Sequence, residues 1–294
     1  MVATGCVMGT MEGADGSGII ERIGKGVMTL DVHDRVVCLA IRMHSSVIRI
    51  KASACRRIPN SMSFTEAASL PVVHCTAYNA FVRIVRIETE ETPGVRKTVL
   101  IHAAAGSLSQ VAIQCAEHFV MEIFATVGPD PKREHIRRLY GIPGDHVLCA
   151  RDTSFAMAIK HMTNQRGVDL ILNSTSGELL RQTWQCLAPG GTFIEVDKAV
   201  LDSVRPRPGN DVSATYTVFD VENIIRGNTQ LTGRLLDGAL DYPRRGITKP
   251  ARAAKSPSAT FMRLFGLCRQ ADTLASCSSH GRTTLQCRCG VQTF

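Results

Sequence analysis

Strand and helix patterns alternate along the chain from about Arg96 to Val196. An apolar strand pattern, KTVLIHA at 97–103, is followed by apolar residues at helical spacing in SLSQVAIQCAEHF at 107–119. Further strand patterns are EIFATVG, HVLCA, VDLILNS and GTFIEV, and further helix patterns are PKREHIRRLYG, SFAMAIKHMTNQRG and GELLRQTWQCLA. Because parallel strands need a crossover connection, usually a helix, this alternation predicts a doubly wound parallel sheet of the Rossmann type.

The segments outside this alternation have other patterns. SGIIERIG, DRVVCLA and SVIRIKAS are short β-branched runs bounded by turn residues, and TEAASLPVVHCTAYNAFV is predicted to be helical. GRLLDGALDYPRRG is a last helical run, and no consistent period follows it. The predicted organisation is a β-rich domain at 1–92, the Rossmann domain at 93–230, a returning helix at 231–250 and a tail at 251–294.

The net charge of +8 is concentrated in the tail. Residues 251–294 contain six Lys and Arg and one acid, a net of +5, which leaves +3 for the rest of the chain. Without a basic stripe interleaved with aromatic residues, a nucleic-acid surface is not expected. The N-terminus lacks a signal-peptide pattern, and no apolar run approaches the eighteen or so residues of a membrane span. We therefore expect a cytoplasmic protein without membrane or nucleic-acid partners.

The eleven cysteines do not indicate a metal site. Seven are scattered singly, mostly in apolar stretches, where a buried free thiol is expected. The tail offers Cys277, His280, Cys287 and Cys289, but their spacing does not match the paired ligands of a zinc knuckle.

A glycine-poor turn follows the first strand of the Rossmann pattern. The three positions of a G-x-G-x-x-G fingerprint hold Ala104, Gly106 and Ser109. Gly106 would let the backbone approach a pyrophosphate, and Ser107 could cap the following helix with its hydroxyl. The N-terminus of that helix would present amide groups to an anion. A strand–turn–helix unit without any ligand stays open as the alternative.

The end of the second Rossmann strand favours NADPH over NADH. In ATVGPDPKR no acid ends the strand, and Lys132 and Arg133 lie just beyond it. A carboxylate there would bind the ribose 2′-hydroxyl of NAD, whereas a basic residue suits the 2′-phosphate of NADP. Asp130, an acid close to the end of the same strand, weakens this preference for NADPH.

Several segments resemble one family in order along the chain. They are SMSFTEAASLPVVHCTAYNA, VLIHAAAG, YGIPGDHVL, RDTSFAMAI, RGVDLILNSTSGELLRQTWQCLAPGGTFIEV and LTGRLL. This pattern is similar to the enoyl reductase domains of fungal highly reducing polyketide synthases, within the zinc-independent medium-chain dehydrogenases/reductases. The resemblance implies a GroES-like substrate lobe beside a Rossmann domain. It also implies NADPH-dependent reduction of the α,β double bond of a carrier-bound acyl thioester in mycotoxin-type biosynthesis.

The resemblance also implies roles for individual residues. Lys132 with Arg133 would bind the 2′-phosphate, Asn173 and Ser174 would lie near the nicotinamide, and Thr76 and Tyr78 would face the cleft. Lys198 and Asp220 resemble a Lys/Asp pair proposed as proton donors in related reductases. The remaining cofactor-binding candidates lie at the turn and at the end of the second strand: Ala104, Gly106, Ser107, Leu108, Ser109 and Thr126.

Some features depart from the family pattern. His33 stands in place of a glycine and His74 in place of a tyrosine, and the first segments of the substrate lobe are missing, so we expect an N-terminally truncated lobe. The expected partner is a carrier-bound polyketide on a synthase acting in trans, and a homodimer is left open. A catalytically silent remnant and a small-molecule quinone or enone reductase are the alternative functions.

The tail has a genetic interpretation. Codon degeneracy permits a shifted frame of residues 263–273 to encode the family pattern A-F-R-L-M-Q-A-G-R-H. We therefore interpret the tail as an out-of-frame peptide, with the frame changing between about Pro250 and Lys255, and expect it to be disordered or poorly packed.

Overall fold

The computed structural model describes residues 13–43, 47–86, 96–128, 130–196 and 213–250, and the backbone of 284–289. Within these ranges the chain forms two compact units. The first contains residues up to 75, residues 221–240 and the strand at 284–289. The second contains residues 76–220 and 241–250. No helix in these ranges is long and apolar enough to cross a membrane.

The strands are β1 (Asp15–Ile23), β2 (Arg35–Leu39), β3 (Val47–Lys51), β4 (Cys55–Arg57), β5 (Thr98–Ile101), β6 (Glu122–Val127), β7 (Val147–Cys149), β8 (Val168–Asn173), β9 (Leu187–Glu195), β10 (Thr215–Val218) and β11 (Thr284–Cys289). The helices are α1 (Phe64–Ala68), α2 (Pro71–Tyr78), α3 (Ser107–His118), α4 (Asp130–Tyr140), α5 (Ser154–Met162), α6 (Gly177–Gln185), α7 (Val221–Gly227) and α8 (Thr229–Arg244). A π-helical segment, Asn79–Ile84, continues from α2.

The first unit is built on an antiparallel sheet with strand order β3-β11-β1-β2-β4. The expectation of a disordered tail is wrong for β11, whose backbone pairs antiparallel with both β1 and β3. Strand pairing uses backbone N–H and C=O groups, so it does not depend on a side-chain period. Cys277 and His280 lie outside the described residues, and the shifted reading frame stays a prediction.

The single helix predicted over 65–82 is interrupted. Its first part, α1, is fixed by a capping box, in which the Ser63 side chain accepts from the Glu66 N–H and the Glu66 carboxylate accepts from the Ser63 N–H. A new helix starts at Pro71, because proline has no N–H to continue α1 but fits the first position of a helix.

Along the chain, the boundaries between the compact units fall after residues 75 and 220. The predicted domain boundaries at 92 and 230 stay predictions. Residues after 75 join the second unit because the Phe81 ring stacks on Phe119, with ring centroids 6.4 Å apart. The start of α8 joins the first unit, because the Arg56 guanidinium pairs with Asp237 and donates to the Gly233 carbonyl at 2.9 Å.

The second unit is built on a six-stranded parallel sheet with the order β10-β9-β8-β5-β6-β7. Counted in chain order from β5, this is the 3-2-1-4-5-6 order of dinucleotide-binding folds. Its central strands are buried, as the near-continuous apolar runs predict, and the Trp184 ring of α6 stacks on Phe193 of β9. The predicted Rossmann sheet is confirmed.

Candidate dinucleotide site

Two loops leave neighbouring strands at the point where the winding of the parallel sheet reverses. After β5 the chain continues to β6 on one side, and after β8 it continues to β9 on the other. We call residues 102–106 the β5–α3 turn and residues 173–176 the β8–α6 loop. Ligands of open α/β sheets bind outside the carboxyl ends of the strands at such a reversal. The turn and the Asn173–Ser174 segment predicted from the sequence therefore lie side by side at this edge.

Backbone hydrogen bonds define the β5–α3 turn. The Gly106 N–H donates to the Ala103 carbonyl at 2.8 Å, and the buried Ala104 donates its N–H to the Thr126 carbonyl at 2.9 Å. Ala103 has a positive φ of 50°, a conformation that side chains disfavour. Together these bonds bring the chain from the buried strand directly into α3.

The start of α3 corrects one prediction. Gly106 is the N-cap, with φ −74° and no side-chain cap hydrogen bond, and Ser107 is the first helical residue. The prediction that Ser107 caps the helix is wrong, because a cap must precede the first helical residue. The amide groups of Ser107, Leu108 and Ser109 belong to the first helical turn, where an α-helix has no internal acceptors for them.

Ser109, at the third fingerprint position, fits the turn. Its side chain is buried, and its hydroxyl donates to the His102 carbonyl at 2.8 Å. A hydroxyl with an acceptor beside it compensates for the burial of a polar group. A glycine at this position would permit close packing of the helix on the strand. Ser109 instead joins α3 to the end of β5 by a hydrogen bond.

A chain of side-chain hydrogen bonds lies under the turn. The buried His102 has Nε2 3.0 Å from the Thr183 hydroxyl, which donates to the Leu179 carbonyl at 2.7 Å. Thr183 therefore accepts from His102 Nε2–H, and the other ring nitrogen, Nδ1, accepts from the Thr126 hydroxyl at 2.9 Å. Burial lowers the pKa of His102 to about 3, which keeps the ring neutral.

His102 was not identified as a candidate in the sequence analysis. It stands between the apolar strand and the small residues of VLIHAAAG, where a polar residue interrupts an otherwise buried run. This polar residue in an apolar run is the sequence feature that could have identified His102 as a candidate. Its partners come from β6 and α6, and the strand pattern alone does not reveal them. Thr126 supports the turn in two ways: its hydroxyl donates to His102 Nδ1, and its carbonyl accepts the Ala104 N–H.

The basic residues after β6 have different environments. Lys132 is exposed in the first turn of α4. The Arg133 guanidinium instead donates to the Val147 carbonyl at 2.8 Å and lies 3.5 Å from the Asp130 carboxylate. Arg133 is therefore engaged within the protein and Lys132 is exposed, and their predicted contact with a 2′-phosphate stays a prediction.

Hydrogen bonds from one buried amide fix the β8–α6 loop. Asn173 Nδ2 donates to the Thr175 carbonyl at 3.0 Å and to Glu195 Oε2 at 2.7 Å. Its Oδ1 accepts from the Thr175 N–H at 3.2 Å and from the Thr175 hydroxyl at 2.7 Å. Between them, Ser174 Oγ is buried and has no hydrogen-bond partner within the described part of the chain.

The candidate proton donors are only partly described. Asp220 follows β10, which pairs parallel with β9 so that Val218 lies opposite Glu195. The Phe219 N–H donates to the Glu195 carbonyl at 2.9 Å, which places Asp220 beyond the carboxyl end of the sheet. Lys198 lies outside the described residues, so its position relative to Asp220 stays a prediction.

The α2 candidates lie at the end of that helix. Thr76 is buried, and the half-buried Tyr78 has its ring edge-on to Tyr242, with ring centroids 5.7 Å apart. Tyr242 follows in α8, and burial raises the pKa of its phenol to about 12. Their predicted role in facing a cleft stays a prediction.

No group of three or more His, Cys, Asp or Glu that could hold a metal ion occurs among the described residues. Five of the scattered cysteines are buried and form no disulfide within the described residues, as their apolar surroundings predicted: Cys38, Cys55, Cys75, Cys115 and Cys186.

Comparisons with known proteins identify the family. Residues 107–243 match the family described as zinc-binding dehydrogenase. The chain is 42% identical over 254 residues to the highly reducing polyketide synthase dmxL2 of Cryptosporiopsis sp. (strain 8999), which covers 85% of this chain and 10% of that protein. The chain thus spans about a tenth of the length of the curated relatives it matches.

Solved structures agree with this match. The CurK enoyl reductase has a TM-score of 0.74 and 29% identity, covering 87% of this chain and 74% of its own. A polyketide synthase domain assigned as an enoyl reductase is 30% identical, with a TM-score of 0.54, over 63% of this chain and 99% of its own. The chain belongs to the medium-chain dehydrogenase/reductase family, in the branch of the polyketide synthase enoyl reductases.

Proposed function

We propose that the chain is an NADPH-dependent enoyl reductase that reduces the α,β double bond of an acyl thioester in polyketide biosynthesis. The observation that carries this proposal is the placement of the β5–α3 turn and the β8–α6 loop together at the reversal of the parallel sheet. Membership of the enoyl reductase branch supplies the reaction class.

The residues at this edge fit a phosphorylated dinucleotide. The first turn of α3 supplies amide groups for a pyrophosphate. Gly128 follows β6 without a carboxylate, and the exposed Lys132 lies four residues further on. The unpaired, buried hydroxyl of Ser174 lies at the neighbouring strand end, as expected for a polar group whose partner is a ligand.

The reaction divides between the cofactor and the protein. A bound nicotinamide would supply a hydride to the β-carbon of the substrate. Lys198 would stabilise the negative charge that develops at the thioester oxygen and hold the proton for the α-carbon, with Asp220 as the second proton-holding group. These two roles come from the family resemblance.

The substrate and partners are part of the proposal. The acyl chain would be carried by an acyl carrier protein, and a polyketide synthase acting in trans would present it. The proposal also includes a mycotoxin-type pathway and a homodimeric assembly. The support for the carrier-bound substrate is that the relatives of this chain are polyketide synthases.

The decisive assay follows NADPH oxidation with a crotonyl thioester, with a quinone, or with neither. We expect oxidation that depends on the crotonyl thioester. Turnover with the quinone alone would favour a quinone reductase, and binding of NADPH without turnover of either acceptor would favour a silent remnant.

The exposed Lys132 is expected to determine cofactor preference. Lys132→Ala should remove most of the preference for NADPH over NADH, on the order of 1–3 kcal/mol for a charge-assisted phosphate contact. Dissociation constants measured by NADPH fluorescence provide the test. Arg138→Ala is the matched control, since it removes an exposed charge from the same helix. Equal affinity of the parent chain for both cofactors would contradict the proposal.

A further inference from the structure

The amide of Asn173 has no capacity left for a ligand. Its two N–H donors reach the Thr175 carbonyl and Glu195, and both of its oxygen lone pairs are used by Thr175. Asn173 is also fully buried. The Asn173 amide therefore has no donor or acceptor free for a direct contact, and its predicted place near the nicotinamide stays a prediction.

The same bonds determine the shape of the β8–α6 loop. Thr175 is held to Asn173 through its N–H, its carbonyl and its hydroxyl, so the chain between them makes a closed loop around Ser174. The Ser174 hydroxyl is buried without a partner in the described ranges. Burying a hydroxyl without a partner is destabilising, and a loop this well bonded would otherwise avoid it.

Glu195 anchors this arrangement to the sheet. Its carboxylate is buried at the carboxyl end of β9 and accepts one Asn173 N–H at 2.7 Å. Its carbonyl accepts the Phe219 N–H, directly before Asp220, and the Val196 N–H donates to the Asn173 carbonyl at 3.1 Å. One glutamate thus connects the β8–α6 loop with the chain that leads to the predicted proton donors.

We propose that Glu195 and Asn173 are positioning residues that hold the β8–α6 loop so that the Ser174 hydroxyl donates to the carboxamide of the nicotinamide. This inference rests on the proposed binding of NADPH. Ser174 is the contact, Asn173 fixes the loop around it, and Glu195 fixes the orientation of the Asn173 amide.

The test compares two ligands that differ only at the nicotinamide. NADPH and 2′-phospho-ADP-ribose, which lacks the nicotinamide, are titrated by calorimetry into the parent chain and its variants. Ser174→Ala should raise the Kd of NADPH about 3- to 20-fold, as for loss of one hydrogen bond in a closed site, and leave the Kd of 2′-phospho-ADP-ribose within about twofold. Ser61→Ala, at an exposed serine outside the β5–α3 turn and the β8–α6 loop, is the matched control and should change neither Kd.

A second measurement needs no ligand. Without cofactor, Ser174→Ala should melt at or above the temperature of the parent, because it removes a buried hydroxyl that has no partner among the residues the structure describes. A serine with a purely structural role would show the opposite, a lower melting temperature. That result would overturn the assignment of Ser174.

Variants of Glu195 test the positioning role. Glu195→Ala should weaken NADPH while sparing 2′-phospho-ADP-ribose, and Glu195→Gln, which keeps an acceptor for Asn173, should restore most of the loss. If Glu195→Ala does not fold, Glu195→Gln and Ser174→Ala decide the question. Equal losses for both ligands, or Ser174→Ala with unchanged NADPH affinity, would overturn the inference alone. A parent chain that binds neither ligand would overturn the proposed function as well.

Discussion

The β5–α3 turn and the β8–α6 loop leave neighbouring strands at the same sheet edge, but different groups hold them. The turn is supported from below by His102, Thr126 and Ser109, whose polar atoms bond within the protein. The loop is fixed by the amide of Asn173, and the hydroxyl of Ser174 has no hydrogen-bond partner in the described ranges. The first arrangement leaves backbone amides for a diffuse anion such as a pyrophosphate, and the second leaves one side-chain hydroxyl for one polar atom.

Removing the support under the turn should have the largest effect. His102→Ala would leave the Thr126 and Thr183 hydroxyls without their partner and create a cavity in a fully buried region. We expect the free energy of unfolding to fall by about 3–5 kcal/mol, measured by denaturant titration. Thr183→Val, which removes both hydrogen bonds of that hydroxyl at nearly constant volume, should cost about 1–2 kcal/mol. A His102→Ala cost no larger than that of Thr183→Val would contradict the linked chain.

The neutral state of His102 predicts how stability depends on pH. Burial lowers its pKa to about 3. Between about pH 6.5 and pH 3 the unfolded chain binds a proton here that the folded chain does not, so stability falls as the pH is lowered. His102 should contribute up to about 1.4 kcal/mol per pH unit in this window.

The variant His102→Gln isolates this contribution. Its stability should depend less steeply on pH than that of the parent, and His135→Gln, at an exposed histidine, serves as the control. His74, whose pKa burial lowers to about 4, adds a contribution of the same sign in both proteins and cancels in the difference. Parallel curves for the parent and His102→Gln would rule out a neutral, buried His102.

Ser109 tests whether the turn needs the missing glycine. Ser109→Gly removes the hydrogen bond to the His102 carbonyl and places a glycine in the helix, so stability should fall by about 1–2 kcal/mol. NADPH affinity, followed by dinucleotide fluorescence, should not improve. Ser107→Gly, at the exposed first residue of α3, should cost less. Tighter NADPH binding by Ser109→Gly would mean that the serine crowds the site.

The smallest expected effect is backbone strain in the turn. Ala103→Gly relieves a positive φ of 50°, worth about 1–2 kcal/mol, against about 0.5–1 kcal/mol of added unfolded-chain entropy, so a slight stabilisation is expected. Gly106→Ala should act in the opposite direction, because its Cβ would lie 3.2 Å from the Ala103 carbonyl oxygen. Thermal melts of both variants measure the two signs, and a common sign would show that φ does not govern this turn.

The sequence was a good guide to the elements that local patterns encode. The strand and helix runs from Thr98 to Glu195, the glycine at the start of α3 and the basic residue after β6 all follow from composition and spacing over a few residues. The same reasoning missed β11 and the break at Pro71, and it assigned a cap to Ser107 one residue too late.

The amino-acid sequence by itself determined that this chain alternates strands with helices and has a short turn with a glycine between the first Rossmann strand and its helix, because hydrophobic period and glycine placement act locally. Only the tertiary structure decided which buried polar atoms have hydrogen-bond partners within the described residues and which do not. His102 meets a partner 81 residues away and Asn173 one that is 22 residues away. Such pairs form when the strands stack in the order of the sheet, and the burial of these side chains then requires each polar atom to find a partner.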